Sequence, residues 1–140
     1  MKKKRKAQAG YVKPTEVELR ILEVFWRLGP STVRTVHLAL TSDKDRKDTG
    51  YSTTLKMIQV MADKGLLSRD STVRPQVYTP TIDRESTQQS MLQEIKQRLF
   101  GGDISGLVQC AISSSDVSEQ ELKEIQAVLR KAKQRSKDHD

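Results

Sequence analysis

The sequence predicts a mainly α chain in two parts: three helices closed by one β-hairpin, then a further helical region. Three observations predict it. Apolar residues recur at helical spacing in separate runs, two short β-forming runs stand together just after Gly65, and charge is divided unevenly between the halves. Residues 1–82 hold 16 Lys/Arg against 8 Asp/Glu, whereas residues 83–140 hold 9 against 10. A length of 140 residues suits one ordinary domain, or a small domain with an oligomerisation segment, and not two large cores. With 35% hydrophobic and 31% charged residues, the composition is that of a soluble, helix-rich protein that hides some apolar surface in a partner.

Residues 1–13 include Lys2, Lys3, Lys4, Arg5, Lys6 and Lys13, repel one another and have little to bury, so they read as a basic disordered tail. Without that tail, residues 14–82 hold only 10 basic against 8 acidic side chains, and net charge is a weak sign of a polyanion partner. Thr15 opens a capping box with Glu18, and Leu19, Ile21, Leu22, Phe25, Trp26 and Leu28 follow at helical spacing until Gly29-Pro30 stops the first helix. Phe25 and Trp26 are assigned to core packing rather than to base stacking. Ser31 or Thr32 caps a shorter second helix whose apolar face is Val33, Val36, Leu38 and Leu40. Residues 42–50 mix both signs of charge and contain no apolar side chain, the pattern of a mobile surface loop.

A third helix is expected from Ser52 as N-cap, with Leu55, Ile58, Met61 and Ala62 on its buried face and Gly65 as its left-handed C-terminal cap. Leu66-Leu67-Ser68-Arg69 and Gln76-Val77-Tyr78-Thr79-Pro80 then pair antiparallel around a polar tip that carries Arg74. Three helices followed by a basic hairpin make the winged variant of the helix-turn-helix, in which the third helix enters the major groove. Residues 14–82 are therefore read as a winged-helix DNA-binding domain.

The rest is helical. Met91, Leu92, Ile95 and Leu99 share one helix, and Ile104, Leu107, Val108, Ala111 and Ile112 follow Gly101-Gly102. A last helix opens with the box Ser118 to Glu121 and carries Leu122, Ile125, Val128 and Leu129. These stripes have little matching core of their own, so residues 83–136 are read as a helical dimerisation region in which Leu99, Ile104, Leu107, Val108, Ile112, Leu122, Ile125 and Leu129 meet a second copy.

On the third helix Ser52, Thr53, Lys56 and Gln59 lie opposite the core face, a set able to donate to and accept from base edges and phosphates. Arg69 and Arg74 on the hairpin and Arg34 in the second helix are candidates for phosphate or minor-groove contact. Cys110 is the only cysteine, so no intrachain disulfide or thiolate metal cluster can form, and the chain reads as cytoplasmic. His37 and His139 have no Glu or Cys spaced to complete a metal site. No run approaches the roughly 18 apolar residues of a membrane span, and Gly101-Gly102 precedes Asp103 rather than a phosphate-loop Lys. Neither an enzyme, a cofactor nor membrane insertion is expected.

The segments PTEVELRILEVFWRLGPSTVRTV (residues 14–36), GYSTTLKMIQVMADKGLLSRD (50–70), VYTP (77–80) and RLFGGDISGLVQ (98–109) together resemble the penicillinase-repressor family of bacterial transcription regulators, the BlaI/MecI type. The resemblance covers about residues 13–133. It implies a homodimeric repressor that places one winged helix on each half of an inverted-repeat operator in double-stranded DNA. It also implies an antibiotic response in which a membrane-sensor-linked protease cuts near the second C-terminal helix, here Leu99, Phe100 and Gly101. Severing that tether would abolish the avidity of two linked readers. Gly101-Gly102 stands where some members have an Asn-containing cleavage sequence, and Val60 stands where relatives often present an Arg on the recognition helix. Residues 131–140 lack the cysteines of copper-responsive relatives. Two alternatives stay open at this point: a winged-helix regulator released by a small ligand, and a winged-helix protein-interaction module.

Overall fold

The computed structural model describes residues 12–42 and 50–139. In chain order the elements are α1 (Glu16–Leu28), α2 (Val33–Thr41), α3 (Tyr51–Lys64), β1 (Leu67–Asp70), β2 (Val77–Pro80), α4 (Arg84–Phe100), α5 (Ile104–Ser113) and α6 (Glu119–His139). The chain is mainly α with one two-stranded hairpin after three helices, a winged helix followed by helices. Two compact units are present, Met1–Leu92 and Gln93–Asp140. Most of the expected basic tail and residues 43–49 of the expected loop lie outside the described residues.

In the first unit α1 starts as its residues dictate. Thr15 Oγ1 accepts the Glu18 amide at 3.2 Å while the Thr15 amide donates to Glu18 Oε1 at 3.0 Å, so two donors at the helix start are satisfied reciprocally. Gly29, at φ 86°, ends the helix in a conformation that a Cβ would strain. Ile21, Leu22, Val24 and Phe25 are buried, but Leu28, expected on the same stripe, is 47% exposed at the helix end. Of the two candidate caps for α2, Thr32 acts, accepting the Thr35 amide at 3.2 Å. Ser31 instead makes a bridge to the hairpin, its amide donating to the Tyr78 carbonyl at 3.0 Å and its carbonyl accepting from Tyr78 at 2.8 Å.

Val33, Val36 and Leu40 are buried, whereas Leu38 is 59% exposed. The reason is angular: two residues from both Val36 and Leu40, Leu38 projects from the far side of a helix that turns about 100° per residue. A second correction concerns α3, which begins at Tyr51 with Gly50 as its N-cap and no side-chain cap, so Ser52 lies inside the helix. Tyr51 therefore occupies the first turn, where its ring meets that of His37 edge-on at 5.5 Å. At the other end Gly65 adopts φ 90°, and the Gly65 and Leu66 amides bond to the carbonyls of Ala62 and Met61 at 3.1 and 2.9 Å. That paired closure turns the chain into β1.

The hairpin is antiparallel, pairing Leu67 with Pro80, Ser68 with Thr79, Arg69 with Tyr78 and Asp70 with Val77. Leu66, Leu67 and Tyr78 join Ile58, Met61 and the α1 and α2 residues in one core. Lys64 reaches back from α3 to Glu18 at 2.6 Å. Burial pushes the Glu18 carboxyl up, but the hydrogen bonds from Lys64 and from Thr15 outweigh it and leave that carboxyl below its ordinary value.

In the second unit, Gly101 and Gly102 (φ 56° and 86°) separate α4 from α5. The box at α6 forms, with the Glu121 amide donating to Ser118 Oγ and the Ser118 amide to Glu121 Oε1, both at 3.1 Å. No residue of α5 is buried, and none of residues 119–138 in α6 is. Among the described residues no helix is long and apolar enough to cross a membrane.

Candidate nucleic-acid interface

The orientation of α3 follows from its buried side. Ile58 and Met61 are fully buried and Thr54, between them and the helix start, is buried as well. Thr54 can be buried because its hydroxyl has partners, His37 Nδ1 at 3.0 Å and the Gly50 carbonyl at 3.4 Å. With that face held, Ser52, Thr53, Lys56 and Gln59 are all exposed. Arg34, on α2, is exposed too.

A cleft of about 220 Å³ lies among α2, α3 and the hairpin, lined in part by Arg34, Tyr51, Gln59, Pro75 and Gln76. It brings two expected residues, Arg34 and Gln59, onto one concave surface; Ser52, Thr53 and Lys56 do not line it. Tyr51 and Gln76 enter it without having been singled out in the sequence. Tyr51 was legible as an aromatic at the head of the helix, but the His37–Thr54 bond that steadies this corner joins residues 17 apart and leaves no local signal.

The two hairpin arginines differ. Arg74 stands on the exposed tip between the strands. Arg69 lies 3.5 Å from Asp63 and 5.8 Å from the centroid of the Tyr78 ring, so its guanidinium already has an intramolecular carboxylate and an aromatic face. Asp63 is largely exposed and Arg69 partly so, a setting in which such pairs are worth little. At the start of the tip, the hydroxyl and then the amide of Thr72 hold the Asp70 carboxyl below its usual value. This keeps a negative charge at the end of β1, where the wing tip begins.

Chemically the surface can do one thing well. It offers hydroxyls, an amide and an ammonium group on a helix narrow enough for a major groove, with a cationic loop beside it. Among the described residues no cluster of three or more His, Cys, Asp or Glu could hold a metal ion. No curated protein matches the chain. The family described as penicillinase repressor matches residues 14–131, from the start of α1 through most of α6. The chain thus belongs to the penicillinase repressor family of DNA-binding transcriptional repressors.

Proposed function

We propose that this protein is a homodimeric, sequence-specific repressor acting in the cytoplasm on an inverted-repeat operator. Ser52, Thr53, Lys56 and Gln59 read base edges, while Arg34 and Arg74 hold the phosphate backbone. Arg69 takes a secondary part, since it must leave Asp63 to engage a phosphate. The observation that carries the reading is the polar outer face of α3, held outward by the burial of Thr54, Ile58 and Met61 beneath it.

Dimerisation is supported by the apolar side chains that the second unit leaves uncovered. Leu99 is 75% exposed, and Ile104, Val108, Leu122 and Leu129 are exposed as well, with Leu107, Ile112 and Ile125 half-buried. Stripes of this kind on a soluble chain mark a surface for another chain. Release by proteolysis near Leu99, Phe100 and Gly101 belongs to the same reading. The exposed turn at Gly101-Gly102 is the sort of site a protease can enter.

The test is a fluorescence-anisotropy titration of the full chain against its own promoter and a scrambled duplex. Specific binding that weakens steeply between roughly 50 and 200 mM salt is expected. Equal affinity for both duplexes would sink the proposal.

A further inference from the structure

The first turns of α4 are tied back to α1 by contacts that the groove-facing surface does not use. Trp26 Nε1 donates to the Ile82 carbonyl at 2.9 Å, and Ile82 packs against the core of the first unit. Two residues on, the Arg84 guanidinium lies 5.6 Å from the centroid of the Trp26 ring and 3.2 Å from Glu23 Oε1. Asp83 accepts the Ser86 amide at 2.8 Å, capping α4, and the Thr87 hydroxyl donates to the Asp83 carbonyl at 2.8 Å. Thr87 is the one buried residue of α4. All of these residues belong to the unit Met1–Leu92. The Arg84–Glu23 pair is about half exposed and contributes little alone. The hold therefore rests on the part-buried Trp26 bond, with Arg84 laid over the indole.

We propose that this clasp fixes the direction in which α4 leaves the reading domain, and that Trp26 and Arg84 thereby set which half-site spacing the dimer accepts. The inference rests on the dimeric DNA-binding reading above. Its reason is geometric. B-DNA completes a turn in about 10.5 base pairs, so two extra base pairs rotate one half-site by about 70° relative to the other. A stiff connection makes that mismatch costly in affinity, whereas a loose one follows the rotation and keeps much of its avidity. Trp26 and Arg84 are positioning residues that act through α4 and touch no DNA.

The experiment uses the full chain and promoter duplexes whose half-sites, located by footprinting, stand at native spacing or are moved apart by two base pairs. Wild type is compared with Trp26→Phe, which keeps an aromatic ring but removes the indole N–H donor, with Arg84→Ala, with both together, and with Arg84→Lys. Moving the half-sites should weaken wild-type binding by about tenfold or more, and the double variant by only about twofold. Affinity for an isolated half-site should be the same for both, and Arg84→Lys should restore most of the spacing preference that Arg84→Ala loses. Hydrogen exchange of the amides of residues 84–90 should be faster in the double variant while the rest of the first unit is unchanged. An unaltered spacing profile overturns the proposal, even where exchange has risen. Equal weakening at every spacing and at the isolated half-site also overturns it, because the clasp would then be merely structural. Absence of specific binding by wild type fails the DNA-binding reading instead, and takes the spacing proposal with it.

Discussion

Among the described residues twelve apolar side chains are buried in the first unit, drawn from α1, α2 and α3 and from the hairpin with its lead-in Leu66, whereas α5 and residues 119–138 of α6 bury none. Both regions obey the same local rules. The box at Thr15 and the box at Ser118 form alike, and apolar residues recur at helical spacing in both. In the first unit α1, α2 and α3 pack on one another and on the hairpin, so each stripe meets a complement encoded a short distance away. In the second, Leu122, Val128 and Leu129 remain exposed. An amphipathic period states that a helix has a face to bury and is silent on what buries it.

The largest way to break this contrast is at Phe25. Phe25→Ala should cost about 3–5 kcal/mol, enough to unfold much of the winged helix, as read by urea denaturation. A loss of under about 1 kcal/mol would mean that the site collapses around the deletion. Leu122→Glu with Leu129→Glu should do the opposite. The first unit keeps its fold, sedimentation shows a monomer, and operator affinity falls by about a hundredfold. A variant that still sediments as a dimer would move the interface elsewhere.

A smaller effect sharpens the division of labour within the first unit. Lys56→Ala should weaken specific binding by about 1–2 kcal/mol and leave the unfolding midpoint unchanged, since Lys56 is exposed and its loss leaves no cavity. A midpoint shift comparable to the binding loss would show that Lys56 supports the fold instead.

An effect of similar size, on stability and not on binding, is electrostatic and follows from Glu18. Its folded carboxyl holds a proton less tightly than the ordinary value of 4.5, so the stability it contributes is complete above that pH and drains away as pH falls through the lower folded value. Glu18→Gln should cost on the order of 1–2 kcal/mol at neutral pH and flatten the acid limb of the stability curve. A variant whose acid limb matches wild type would assign that limb to other carboxylates.

What was legible in the sequence were features decided within a few residues. The Thr15 box, the left-handed Gly65 and the break at Gly101-Gly102 depend on neighbours, and each stands as expected. The winged-helix fold followed from their order. What was not legible depended on distant partners. Ser52 yields the start of α3 to Tyr51, whose ring meets His37 from another helix. Leu38 is the exception, since helical angle alone denies it the face of Val36 and Leu40. On the candidate interface, exposure of Ser52, Thr53, Lys56 and Gln59 follows from helical period. The engagement of Arg69 with Asp63 and Tyr78, and the cleft that gathers Tyr51 and Gln76 with Arg34, arise only on folding.

The bridge between Ser31 and Tyr78 has a consequence for how this fold can change. A two-stranded hairpin alone is barely stable in water, and here Ser31, just before α2, adds an isolated antiparallel bridge to β2. Wing and helix-turn-helix are therefore not separable parts. Lengthening or exchanging the wing to alter what it touches would be felt at Ser31, and through the adjacent Thr32 cap at the first turn of α2. Variation is freest at the tip, residues 71–75, where every residue is exposed. The strands beneath must keep their register.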